Sequence, residues 1–164
     1  IQKRLGAETR VIRVMPNTPY LVHAGAAGIA ASAQCDDADR ELARTLFASI
    51  GVAEEVAEAD MDAVTALSGS GPAYFFKMVE CLVAAAVSQG LERSVAERLA
   101  GQTLYGAGKL LMESDDSAGE LRKKVTSPGG TTEAALNAFE AEGLEQVVAT
   151  AVAAAVKRGQ ELGT

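Results

Sequence analysis

The chain has 164 residues, 48% of them apolar and 23% charged, which is typical of a soluble globular protein with one ordinary domain or pieces of two. Acidic residues outnumber basic ones by 22 to 15, and the net charge of −7 makes nucleic acid a poor partner because phosphate contacts need clustered Lys and Arg. The longest uncharged apolar stretch, 147–156, is too short to span a bilayer, so no membrane partner is expected.

The first third of the chain has the pattern of short strands around one helix. The β-branched run 11–15 predicts a strand that Pro16 ends, and runs at 25–32 and 52–56 predict two more. Acidic residues at the start of 36–50 and an apolar stripe along it predict a helix. Three strands around one helix indicate part of a sheet rather than a whole one.

From about Glu58 onward the pattern is almost purely helical. Glycines and prolines divide this part into predicted helices at 60–67, 73–88, 94–112, 118–125, 131–141 and 144–162. Gly69 to Pro72 is expected to break the chain between the first two helices. Ser94, with Glu97 three residues on, predicts a capping box at the start of the third.

The last predicted helix carries information about assembly. Valines and leucine fill one broad face, and Ala149, Ala153 and Ala154 leave the opposite side small and uncharged. A helix that is apolar nearly all round must be buried on most sides, and about 105 residues can enclose few such helices. We therefore expect a homo-oligomer; the alternative is a monomer whose own helices surround this one.

Several kinds of chemistry are poorly supported. His23 is the only histidine, so a Ser-His-acid triad and a zinc or iron site are not expected, and metal ligands are sparse. Cys35 and Cys81 make no disulfide framework and are expected to be reduced thiols of a cytoplasmic protein. No Gly-x-Gly-x-x-Gly or Walker pattern occurs.

The segment 126–133, Thr-Ser-Pro-Gly-Gly-Thr-Thr-Glu, is the most informative one. Pro128 ends one helix, Gly129 and Gly130 are expected to use backbone angles closed to other residues, and a new helix begins near Thr131. Unpaired N–H groups at that start form a site for a small carboxylate, with Thr131 or Thr132 adding a hydroxyl. The alternative is an ordinary helix–helix turn with a threonine cap.

A second informative segment surrounds Gly69-Ser70-Gly71-Pro72. It lacks the spacing of a hydrolase nucleophile elbow, and it places a bend inside a helical region. Glu58 and Asp62, four residues apart, would share one helix face. Such a pair is either a solvated face or a feature that favours a cationic group.

Three motifs together resemble one family, the Δ1-pyrroline-5-carboxylate reductases. They are Met15-Pro16-Asn17-Thr18-Pro19, the segment 62–74 and the segment 121–132. The resemblance runs from about Val11 to Leu162. It implies a mainly α fold, in which a helical dimerisation and substrate-binding domain (58–164) is preceded by the last strands and helix of a Rossmann-type α/β dinucleotide-binding domain (1–57).

The resemblance also implies an activity. It is hydride transfer from NADH or NADPH to the C=N carbon of pyrroline-5-carboxylate, which gives L-proline. The first strand of the dinucleotide-binding domain and its glycine-rich turn are missing from this sequence, so the isolated fragment is expected to be inactive. The choice between NAD and NADP stays open, as does the choice between a homodimer and a decamer.

Site residues follow from the same resemblance. Thr132 is expected to be the principal catalytic side chain and to meet the ring nitrogen or a carboxylate oxygen. Glu58 is expected to steady the iminium and Lys124 to approach the cofactor, although a solvated helix end suits Lys124 equally. The expected substrate-binding residues are Glu58, Ser70, Gly71, Gly129, Gly130, Thr131 and Thr132, and the expected cofactor-binding residues are Asn17, Thr18 and Lys124.

Two other interpretations remain open at this stage. The helices can act as a dimerisation module without a retained site. The chain can also belong to another two-domain NAD(P)-dependent reductase family such as the β-hydroxyacid dehydrogenases, although Gly106 to Lys109 does not reproduce their lysine motif.

Overall fold

A computed structural model describes residues 2–163, which form two compact units. The first comprises residues 2–73 and 151–163, and the second residues 74–150. In chain order the first unit contains α1 (Gln2–Leu5), β1 (Ile12–Pro16), a 3-10 helix (Thr18–Val22), β2 (Gly25–Ala31), α2 (Asp37–Ala48), β3 (Gly51–Glu55), a 3-10 turn (Glu58–Asp60), α3 (Met61–Val64) and a π-helix (Thr65–Gly69). The remaining helices are α4 (Gly71–Ser88), α5 (Arg93–Glu113), α6 (Ala118–Lys124), α7 (Thr131–Ala141) and α8 (Leu144–Gly163).

The first unit is built on a three-stranded sheet in the order β1-β2-β3. Strand β1 is antiparallel to β2, with Val14 opposite Ile29, and β2 is parallel to β3, with Ala27 opposite Ala53. The central strand β2 has a nearly continuous run of buried small residues, as expected for a strand covered on both sides. The predicted strands and the helix between them are confirmed.

Helix α2 begins with the acidic residues that predicted it. Asp36 is the N-cap, and its side chain accepts a hydrogen bond from the Asp39 N–H while the Asp39 carboxylate accepts one from the Asp36 N–H. The helix crosses from β2 to β3, which is the connection that a parallel strand pair requires.

The expected bend inside the helical region is confirmed at Ser70, but the expected break between two separate helices at residues 69–72 is wrong. The chain passes from α3 through the π-helix Thr65–Gly69 directly into α4, with a single bend at Ser70. The Ser70 N–H donates to the Thr65 carbonyl at 2.8 Å, a bond across five residues that keeps the chain helical. Glu58 to Ser88 is therefore one helical stretch, and by length and composition it is apolar enough to cross a membrane.

The second unit contains helices whose bounds were predicted well and one cap that was not. Helix α7 spans the predicted residues, but the predicted capping box of Ser94 and Glu97 is wrong. The N-cap of α5 is Glu92, whose carboxylate accepts from the N–H groups of Ser94 and Val95 at 2.9 and 3.1 Å. The helix starts earlier than expected, so the donors held at its start are the Ser94 and Val95 N–H groups rather than the Glu97 N–H.

Little of the second unit is buried. Among residues 74–150, only Val83 and Ala96 are buried, and large apolar side chains such as Phe76, Leu99 and Tyr105 are about 60% exposed. Helix α8 has no buried residue within the described chain. The other described residues therefore do not enclose this helix.

Candidate functional site

Asn17 follows strand β1 and is held on several sides. Its side-chain Oδ1 accepts from the Ala26 N–H at 2.8 Å, and its Nδ2 donates to the Ser68 carbonyl at 3.1 Å. Its backbone N–H donates to the Ala26 carbonyl at 3.1 Å. The next residue, Thr18, is exposed and begins the 3-10 helix. The side-chain amide expected to face a cofactor is therefore committed to two backbone partners.

Ser70 and Gly71 lie where the π-helix meets α4. The Ser70 carbonyl accepts from the Ala73 N–H at 3.0 Å, and its side chain is half-buried. A Cβ placed on Gly71 would meet no heavy atom within 4 Å beyond its chain neighbours and its own helix. Gly71 itself is buried.

Glu58 already has a cationic partner. Its Oε1 accepts from Arg13 Nη1 at 2.7 Å, and both side chains are largely exposed. Asp62 follows in α3, and its carboxylate oxygen lies 3.2 Å from the position that a Cβ on Gly159 would occupy. The cation beside Glu58 is Arg13.

The turn before α7 needs both of its glycines, for different reasons. Gly129 has φ of 71°, a left-handed conformation that favours glycine. Gly130 has an ordinary extended backbone, with φ of −85° and ψ of 171°, so the expectation of unusual angles is wrong there. A Cβ on Gly130 would lie 2.6 Å from Ser127 Oγ and 3.0 Å from its carbonyl oxygen. Close approach of the chain to itself, rather than backbone freedom, requires that glycine.

Glu133 was missed by the sequence analysis and occupies part of the expected anion site. Its Oε2 accepts from the Gly129 N–H at 2.8 Å. The N-cap of α7 is Gly130, so the alternative of a threonine cap is wrong. Within residues 2–163, the N–H groups of Thr131 and Thr132 have no hydrogen-bond partner. These two donors remain for a ligand anion, with Thr131 exposed and Thr132 half-buried.

Lys124 lies at the end of α6 and forms an ion pair with Asp116. The hydrogen bond from the Lys124 ammonium is the largest of the effects that hold the pKa of Asp116 below its ordinary value. The two residues are eight apart in sequence and on different elements, so no local pattern indicates the pair. Glu133, by contrast, is three residues after the N-cap, a spacing typical of capping side chains.

The expected cofactor-binding residues do not form a complete site for a nicotinamide cofactor. Lys124 is paired with Asp116, and the Asn17 amide is paired with Ala26 and Ser68, which leaves the Thr18 hydroxyl. The side chains of Asn17, Thr18 and Lys124 do not form a binding site for a pyrophosphate, because such a site needs the successive N–H donors of a glycine-rich turn. Among the described residues, no three His, Cys, Asp or Glu side chains lie close enough to hold a metal ion.

The comparison with known families gives a direct answer. The family profile described as pyrroline-5-carboxylate reductase dimerisation matches residues 58–162. The chain belongs to the pyrroline-5-carboxylate reductase family. The resemblance carried by the three motifs is thereby confirmed, and so is the mainly α fold behind the last strands of an α/β domain. Membership also excludes the β-hydroxyacid dehydrogenase alternative.

Named relatives agree with this assignment. The pyrroline-5-carboxylate reductase of Pseudomonas aeruginosa is 46% identical over 159 residues, covering 96% of this chain and 58% of the relative. The enzyme of Synechocystis sp. is 44% identical, covering 93% of this chain and 57% of the relative. The chain thus spans somewhat more than half the length of these relatives.

Solved structures show the same relationship. A pyrroline-5-carboxylate reductase from Coxiella burnetii superposes with a TM-score of 0.95 at 42% identity, covering 98% of this chain and 60% of the other. The Plasmodium falciparum pyrroline carboxylate reductase with NADP bound has a TM-score of 0.88 at 34% identity, covering 99% of this chain and 66% of the other.

Proposed function

We propose that this chain is part of an enzyme that reduces 1-pyrroline-5-carboxylate to L-proline with NADH or NADPH, and that it supplies the substrate pocket and the dimer surface. The observation that carries the proposal is the turn 127–132, in a chain of this family. Two unpaired N–H groups and two threonine hydroxyls begin helix α7 there. A small carboxylate is the ligand that such a helix start binds best.

The pocket residues have separate tasks. The N–H groups of Thr131 and Thr132 bind the substrate carboxylate, while the Thr132 hydroxyl either accepts a hydrogen bond from the protonated ring nitrogen or donates one to a carboxylate oxygen. Ser70 and Gly71 form the floor beside the ring. Reduction adds a hydride to the imine carbon and leaves a proton on the nitrogen, and the imine accepts hydride more readily once protonated.

The protonated ring nitrogen needs a nearby negative charge. Glu58 provides it, because Arg13 holds only Oε1 and leaves Oε2 for the iminium. Rate enhancement in this scheme comes from alignment and from electrostatic support, since no described side chain has to form a covalent bond. The loop that carries Asn17 and Thr18 is proposed to lie near the cofactor, as is Lys124, with the Asn17 amide held by its own backbone partners.

The role of Thr132 is tested in the full-length enzyme, meaning this chain with the portion that its relatives carry in addition. Thr132→Ala should lower kcat/KM by about 10²-fold, because a hydrogen bond made to charge in the transition state is lost. Thr132→Ser should retain most of the activity. Thr45→Ala, on the exposed face of α2, is the matched control. Near-normal kinetics of Thr132→Ala with an intact dimer would contradict the role.

A second candidate is a dimerisation module without catalytic activity, favoured by the exposed apolar side chains of the second unit. Calorimetric titration of this chain with L-proline distinguishes the two. Heat of binding that disappears in Gly130→Val supports a retained substrate pocket, because the added side chain collides with Ser127. A dimer that binds no proline supports the module.

A further inference from the structure

The π-helix Thr65–Gly69 leaves one backbone carbonyl without its usual partner. In an α-helix the carbonyl of Ser68 would accept from the N–H of residue 72, but residue 72 is proline and has none. The next donor along the chain, the Ala73 N–H, is already bonded to the Ser70 carbonyl at 3.0 Å. A part-buried carbonyl at this place needs a donor from outside its own helix.

Asn17 supplies that donor from the loop after β1. Its Nδ2 lies 3.1 Å from the Ser68 carbonyl oxygen, across 51 residues of sequence. The amide cannot turn away easily, because its Oδ1 accepts from the Ala26 N–H at 2.8 Å and the Asn17 backbone N–H donates to the Ala26 carbonyl. Strand β2 therefore holds the asparagine in the orientation that the Ser68 carbonyl requires.

Close packing brings the two segments together around this bond. A Cβ on Gly69 would lie 2.6 Å from Met15 Cε, and a Cβ on Gly28 would lie 2.6 Å from Val64 Cγ1. In the same helical segment, Met61 and Ala66 are fully buried. Two glycines thus let the sheet and the helical segment approach closely enough for the Asn17 amide to reach the Ser68 carbonyl.

We propose that Asn17 is a positioning residue for the substrate pocket. Its side-chain amide replaces the N–H that Pro72 lacks, and it thereby fixes the π-helix and the Ser70–Gly71 bend against the loop after β1. The inference rests on the proposed function in so far as Ser70 and Gly71 form the pocket floor. In this role Asn17 acts through the Ser68 carbonyl, not by touching the cofactor.

The kinetic test uses the full-length enzyme and asks which ligand is affected. Asn17→Ala should raise the KM for pyrroline-5-carboxylate by about tenfold, the size expected when a part-buried carbonyl loses its donor, while kcat and the Kd of NADPH change less than about twofold. Asn137→Ala, the other asparagine in the chain, is the matched control. A Kd for NADPH that rises tenfold with an unchanged KM for the imine would overturn the proposal in favour of a direct cofactor contact.

The rescue test addresses the link to Pro72. Pro72→Ala restores an N–H four residues after Ser68, so the double variant Asn17→Ala/Pro72→Ala should recover at least half of the lost substrate affinity. Losses that simply add in the double variant would show that the two residues do not serve the same carbonyl. Dimer mass and Tm of each variant identify any that fails to fold, and the rescue still decides the matter because it predicts a gain.

Amide hydrogen exchange tests the role of Asn17 independently of the activity of the enzyme. Amide hydrogen exchange at Ser70 reports the π-type bond to the Thr65 carbonyl, whether or not the enzyme turns over. Exchange should accelerate at least tenfold in Asn17→Ala and return toward the wild-type rate in the double variant. If wild-type enzyme does not reduce the imine, the proposed function fails while this measurement still tests Asn17. Unchanged exchange in Asn17→Ala would refute the positioning role.

Discussion

Glu133 combines two effects at one helix start. Its carboxylate holds the turn through the Gly129 N–H at 2.8 Å, and as a negative charge in the first turn it favours helix α7. The same charge repels the substrate carboxylate that we place on the neighbouring N–H groups. The negative charge of Glu133 therefore favours the stability of α7 and disfavours binding of the substrate carboxylate.

The Glu133→Gln variant separates the effect on stability from the effect on substrate affinity. Glutamine keeps an acceptor for the Gly129 N–H and removes the charge, so we expect the KM for pyrroline-5-carboxylate to fall about two- to fivefold while stability drops by about 0.3–1 kcal/mol. Steady-state kinetics and urea unfolding of the full-length enzyme measure the two quantities. Glu133→Ala, which also loses the acceptor, should raise the KM. An increase of KM in Glu133→Gln would place the carboxylate of the substrate elsewhere.

At the scale of single residues, the sequence predicts the features that depend on local signals. The start of α7 was predictable because Pro128, Gly129 and Gly130 are local signals of a turn and a new helix. The roles of Asn17 and Asp116 were not, because each depends on a partner on another element. A donor from 51 residues away is part of what keeps the chain helical through Ser70, where glycine and proline alone indicate a break.

At the scale of elements, α5 and α6 depend on ionised carboxylates at their starts. Glu92 caps α5, and hydrogen bonds from the Ser94 hydroxyl and N–H lower its pKa. Glu120 forms a capping box with Ser117, whose hydroxyl and N–H lower the pKa of that carboxyl. Asp116, paired with Lys124, also has a lowered pKa. Each group contributes stability only while it is ionised.

These shifts predict acid sensitivity. Because the pKa values are lower in the folded state, their contribution is fully present above the ordinary range of about 4 to 4.5 and is lost as pH falls through the folded values. We expect the free energy of unfolding to decline below about pH 5, and Glu92→Gln/Glu120→Gln to flatten that decline. Urea unfolding between pH 3 and 7 checks this, with Glu97→Gln as control. An unchanged slope in the double variant would show that these caps do not set the acid limit.

At the scale of the whole molecule, the chain exposes more surface than a compact protein of its mass. The chain exposes 11,768 Å². A compact monomer of 16.9 kDa should expose about 7,700 Å², and two separate units of half that mass about 9,300 Å². Large apolar side chains contribute to this surface, among them Phe75 and Phe76 on α4.

Self-association through the second unit is the expected outcome, and Phe76 on α4 tests it. Burying this ring, now 60% exposed, contributes about 1.5–3 kcal/mol to an interface, and a glutamate in its place would also lose its hydration on association. Phe76→Glu should therefore weaken the dimer by at least about a hundredfold, since 1.36 kcal/mol corresponds to a factor of ten.

Lys77→Glu, on the same helix and forming only an exposed ion pair with Glu80, is the matched control. Light scattering during gel filtration should give a dimer or larger assembly for the wild type and Lys77→Glu, and monomer for Phe76→Glu at micromolar concentration. A wild-type protein that remains monomeric would contradict the dimer, whereas a Phe76→Glu dimer of full affinity would locate the interface on another face.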